Sequence, residues 1–72
     1  MSALKITVNG ITHAFNSDEG TESLKAEFKK IFGDNVQTID AIEGDVTLEE
    51  IEAITGGNPV VNIGAIKGAL TI

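Results

Sequence analysis

Cysteine, arginine, tyrosine and tryptophan are all missing from this chain, and proline occurs once. Without cysteine, neither a disulfide framework nor a thiolate metal site can reinforce a small fold, and the lack suits a reducing compartment. Without arginine, and with a formal net charge of -6, there are no clustered cations for phosphates; with phenylalanine as the sole aromatic there are few platforms for bases. Direct binding to nucleic acid is therefore not expected. A long apolar run is missing too. The last fifteen residues, NPVVNIGAIKGALTI, carry one charge, yet Asn62, Gly64, Lys67 and Gly68 interrupt them and they fall short of the roughly 20 apolar residues of a spanning helix. No membrane partner is expected. The opening MSALKITVNG has no basic stretch leading into an apolar segment and a small-residue cleavage site, so the expected location is cytoplasmic.

What is present amounts to one domain, residues 1–72, of a size that buries only about 60% of its extended surface. In LKITVNGITHAF, Leu4, Ile6 and Val8 alternate with polar residues, and Asn9-Gly10 suits a two-residue type I′ turn. That turn places Ile11, His13 and Phe15 on the face of Leu4, Ile6 and Val8, so His13 is expected beside the core. After a polar loop, with Asp18 or Thr21 as cap, Leu24, Phe28, Ile31 and Phe32 form one helical stripe that Gly33 ends. VQTIDAI is read as a strand or extended crossover, although Val36, Ile39 and Ile42 also suit helical spacing. Thr47 and Glu50 have the form of a capping box for a short helix with Leu48, Ile51 and Ile54 inward, ending at Gly56-Gly57 before Pro59.

The tail is read as a hairpin turning at Lys67-Gly68. Val61, Ile63, Ala65, Leu70 and Ile72 then share a buried face, and Asn62, Gly64, Ile66, Ala69 and Thr71 a mixed one. The expected fold is α+β: a small, largely antiparallel sheet of four or five strands with an N-terminal hairpin, one main helix, one short helix and a C-terminal hairpin. No internal repeat is read beyond the two hairpins.

Chemistry-bearing residues are sparse. His13 is the lone histidine and so the first acid-base candidate, but it is read as structural or incidentally exposed because no oriented partner can be assigned to it; Ser17 and Ser23 have no triad context. NSDEG and EGD are oxygen-rich, but glycine falls at the fifth position of either calcium-loop frame instead of the sixth. NIGAIKGAL lacks the order of a phosphate loop. No enzyme activity, metal or cofactor is expected.

KITVNG, the following strand, the turn NSDEGTE and the helix bearing Leu24 resemble the first half of small β-grasp sulfur carriers of the ubiquitin-like group. The resemblance covers about 30 residues and implies a β-grasp-like half. Those carriers act through a flexible C-terminal Gly-Gly, whereas this chain ends Ala69-Leu70-Thr71-Ile72 and its Gly56-Gly57 pair is internal, so carrier chemistry is not expected.

The function expected from the sequence is a non-catalytic protein-interaction or structural module, self-associating or partner-binding through a sheet edge. The alternative is an acidic adaptor or inhibitor for a basic protein surface, because residues 34–58 hold seven acidic side chains and no basic one. A small carrier or histidine-dependent enzyme ranks last. The expected partner-binding residues are Asp45, Glu49 and Glu52 for charge, with Asn62, Ile66 and Ala69 on the mixed face of the tail.

Overall fold

The computed structural model describes residues 3–56 and 62–72. Strands β1 (Ala3–Val8) and β2 (Ile11–Asn16) form the expected hairpin, with Val8 opposite Ile11 and Ala3 opposite Asn16. Asn9 and Gly10 both take positive φ (53° and 82°), as a type I′ turn requires. Leu4, Ile6 and Phe15 are buried on one face, while on the other Thr7 and Thr12 join their hydroxyls at 2.7 Å. Ile11 shares the core-side face by register but lies beyond the cover of the helix and stays exposed.

Asn16, whose side chain accepts from the Asp18 amide, caps a single 3-10 turn at Ser17–Glu19. Helix α1 (Thr21–Phe32) then starts at Gly20 without a side-chain cap, so neither Asp18 nor Thr21 has the expected capping role. Leu24 and Phe28 are buried, and Phe28 and Phe32 pack around Phe15 with ring centroids 5.1–6.1 Å apart. Ile31 sits at the edge of the stripe and is exposed. Gly33 ends the helix at φ 88°, its amide donating to the Lys29 carbonyl.

Residues 38–47 form an extended inner segment of three short strands, β3 (Thr38–Ile39), β4 (Ala41–Glu43) and β5 (Val46–Thr47). Thr47 closes the expected capping box with Glu50 and opens α2 (Leu48–Thr55), which a left-handed Gly56 terminates. Ile54 is buried and Ile51 half-buried, whereas Leu48 is exposed instead of inward. Gly57, Pro59 and Val61, which carried parts of the sequence reading, lie outside the described residues.

An outer segment, 62–71, follows: β6 (Asn62–Ile63), β7 (Ile66–Lys67) and β8 (Leu70–Thr71). Here the pairing departs from expectation. In place of a hairpin at Lys67-Gly68, the whole segment runs parallel to 38–47, each pairing joining residue n to residue n + 24. The sequence explains why. TIDAIEGDVT (38–47) and NIGAIKGALT (62–71) are two copies of one pattern, identical at Ile39/Ile63, Ala41/Ala65, Ile42/Ile66, Gly44/Gly68 and Thr47/Thr71, so a 24-residue repeat is present that the sequence reading missed. Parallel stacking sets identical residues side by side at Ile39/Ile63, Ile42/Ile66 and Thr47/Thr71 and opposite charges side by side at Glu43/Lys67.

The buried face of the tail changes accordingly. Ile63 and Ile66 both pack against the core and Ala65 is half-buried, but Leu70 is 46% and Ile72 98% exposed. The main sheet has the order β2-β1-β4-β7, with β3-β6 and β5-β8 extending its last two strands. Antiparallel ladders still supply most of the paired positions. The expected α+β class, two helices and N-terminal hairpin therefore stand. The resemblance to a carrier's first half ends at α1, because Leu70 and Thr71 belong to a strand and not to a free tail.

Candidate functional site: an open sheet edge

The outer segment has one bonded edge. Asn62 and Gly64 donate to the carbonyls of Gln37 and Ile39, and the carbonyls of Ala65, Lys67 and Ala69 accept from Ile42, Gly44 and Val46. Two successive inward residues, Gly64 and Ala65, mark a bulge. The inner segment has its own at the matching place, where the Asp40 amide turns to the Thr7 carbonyl while Ile39 and Ile42 bond the other way. Alternation then directs the N–H and C=O groups of Ile63, Ile66, Gly68 and Leu70 away from the inner segment. No described residue pairs with that edge.

Glycine sets how closely these strands approach. A Cβ on Gly44 would lie 2.7 Å from the Ala3 carbonyl oxygen, one on Gly64 2.7 Å from that of Asp40, and one on Gly68 would fall against the Gly44 carbonyl. Each strand thus settles through a glycine onto backbone of the strand before it.

Rows of side chains cross the sheet to the open edge. Ile6, Ile42 and Ile66 form one row, and Lys5, Glu43 and Lys67 form another in which charge alternates. The repeat exposes a gradient. Ile39, Ile42 and Val46 are 0%, 0% and 1% exposed, whereas their counterparts Ile63, Ile66 and Leu70 are only partly covered. Ile42 lies on β4 with β1 and β7 on either side, whereas each of the outer three lies on a strand paired on one side only.

The residues singled out in sequence separate into two groups. Asn62, Ile66 and Ala69 lie on the outer segment, and Asp45 joins them because its Oδ1 accepts from the Ala69 amide at 3.2 Å. Ile66 is half-buried against the core and not on an exposed mixed face. Glu49 and Glu52 project from α2 and are exposed. The acidic stretch is largely put to structural use. Asp40 accepts from the Gly10 amide at 3.0 Å, Glu50 completes the capping box and Asp34 lies 3.5 Å from Lys29. Lys67, Ile63 and Leu70 were missed as edge residues, and lining the tail up against 38–47 would have revealed them.

His13 stacks edge-on against Phe15, its Nε2 3.5 Å from a Glu27 carboxylate oxygen, on the half-exposed margin of the hairpin. Among the described residues, no three His, Cys, Asp or Glu side chains gather as metal ligands, and no helix is long and apolar enough to cross a membrane. Described residues line open grooves on the surface. One of about 360 Å³ lies between Phe28, Val36 and Ile54, and another of about 420 Å³ is lined by Val8, Ile11, Ile31 and Phe32. No family model matches the chain, and no curated protein or solved structure is significantly similar to it.

Proposed function

We propose that this chain is a non-catalytic protein-interaction module that docks a partner, a second copy or another protein, along the outer edge of residues 62–71. The carrying observation is the gradient across the repeat, with Ile63 and Ile66 half-buried and Leu70 exposed where Ile39, Ile42 and Val46 are sealed. Exposed edges with unpaired amides recruit strands unless charge, proline or a covering element blocks them. Here the outer segment carries a single charge, Lys67. The adaptor reading is weaker because it retains chiefly Glu49 and Glu52 as uncommitted charge.

The test is panning of a displayed ten-residue peptide library against the wild type and Leu70→Pro. Proline at an outward-facing position removes a docking donor and no hydrogen bond made among the described residues. The wild type should enrich binders that the folded variant does not. Equal enrichment on both, or none on either, would end this reading.

A further inference from the structure

Resting on that reading, we infer that the outer edge selects a parallel strand of the pattern apolar, acidic, glycine, any residue, apolar, set level with Ile66 to Leu70. The structure already holds one solution to this recognition problem. The edge of the inner segment, formed by outward groups at residues 39, 42, 44 and 46, binds a parallel strand carrying Ile, Lys, Gly, Ala and Leu. The outer segment repeats that edge 24 residues on, with the same bulge and the same outward positions at 63, 66, 68 and 70. It differs in the positive φ (115°) that Gly44 takes and Gly68 does not.

Each requirement has its own cause. Ile66 and Leu70 end their apolar rows part-exposed, so residues level with them should be apolar. Lys67 ends the row Lys5, Glu43, Lys67, and an acidic residue continues the alternation. The glycine follows from the approach already repeated at Gly44 on Ala3 and Gly68 on Gly44, where a Cβ meets backbone that cannot swing aside. The chain contains this ligand pattern itself: Ile42-Glu43-Gly44-Asp45-Val46, the segment that flanks Lys67 on its bonded side.

The probe is the capped heptapeptide AIEGDVT, residues 41–47, which stops short of the close approach at Gly64 and is titrated to millimolar concentration into the isotopically labelled chain. Shifts and slowed amide exchange are expected at Ile66, Gly68 and Leu70, with a spin label on the peptide's N-terminus broadening Ile63 more than Leu70. Replacing the peptide's glutamate by lysine should weaken binding about three- to tenfold, since a favourable cross-strand charge pair becomes a like pair. Lys67→Glu should reverse that preference, and Lys67 is exposed, so the swap leaves the core intact. Replacing the peptide's glycine by alanine should weaken binding by about tenfold or more.

Three results would overturn the inference: no shift at millimolar peptide, broadening that reports an antiparallel strand, or protection of the same amides by raised protein concentration alone, which would make a second copy the occupant. If panning yields edge-dependent binders of another pattern, this inference fails while the docking function stands. If Leu70→Pro loses nothing, both fail.

Discussion

Among single residues, Gly68 has the most demanding position. Its freedom from a side chain is needed for the approach to the Gly44 carbonyl and not for a turn. Gly68→Ala forces the outer segment off the inner one and should cost about 1–3 kcal/mol, the usual range for overpacking. Urea denaturation measures the total. Hydrogen exchange locates it, with the Asn62 and Gly64 amides losing protection and the β1-β2 hairpin keeping it. Uniform loss over both regions, or no loss, would contradict this assignment. Asp45 helps from below by accepting from the Ala69 amide next to Gly68.

Thr47 joins two kinds of element: it ends the inner segment, opposite Thr71, and caps α2 through the Glu50 amide at 3.1 Å. Thr47→Ala should cost about 1 kcal/mol, and Thr47→Ser should recover most of it because the hydroxyl does the capping. Thermal melts of the two variants check this; equal losses would point to the threonine methyl instead. The capping box was legible in sequence because both of its partners lie within four residues, and the Asn9-Gly10 turn was legible for the same reason. The tail was not. Its partners lie 24 residues away, and the bulge at Asp40-Ala41 sends Ile39 and Ile42 to the same side, so their spacing of three mimics a helix where the backbone is extended. Gly68 reads as a turn residue and Gly64 as a strand residue of the mixed face when both are contact residues. Only the comparison of segment with segment, not the local pattern, separates the two.

Over the whole molecule, the edge and the stability of the fold are linked. A 72-residue chain without cysteine has little surplus stability, and its outermost strand leaves Leu70 and Ile72 in water. A strand that binds only the folded state adds RT ln(1 + [L]/Kd), about 1.4 kcal/mol at ten times Kd. For a domain of this size that corresponds to a rise in Tm of roughly 6–11 °C. The peptide AIEGDVT should therefore raise the Tm of the wild type in a concentration-dependent way and leave that of Leu70→Pro unchanged. The contrast isolates the edge, because nonspecific peptide binding would move both melts together. Calorimetry in low and high salt separates the contributions further: the share owed to the acidic residue opposite Lys67 should shrink as salt screens it, while the share owed to backbone hydrogen bonds and to covering Ile63, Ile66 and Leu70 should persist.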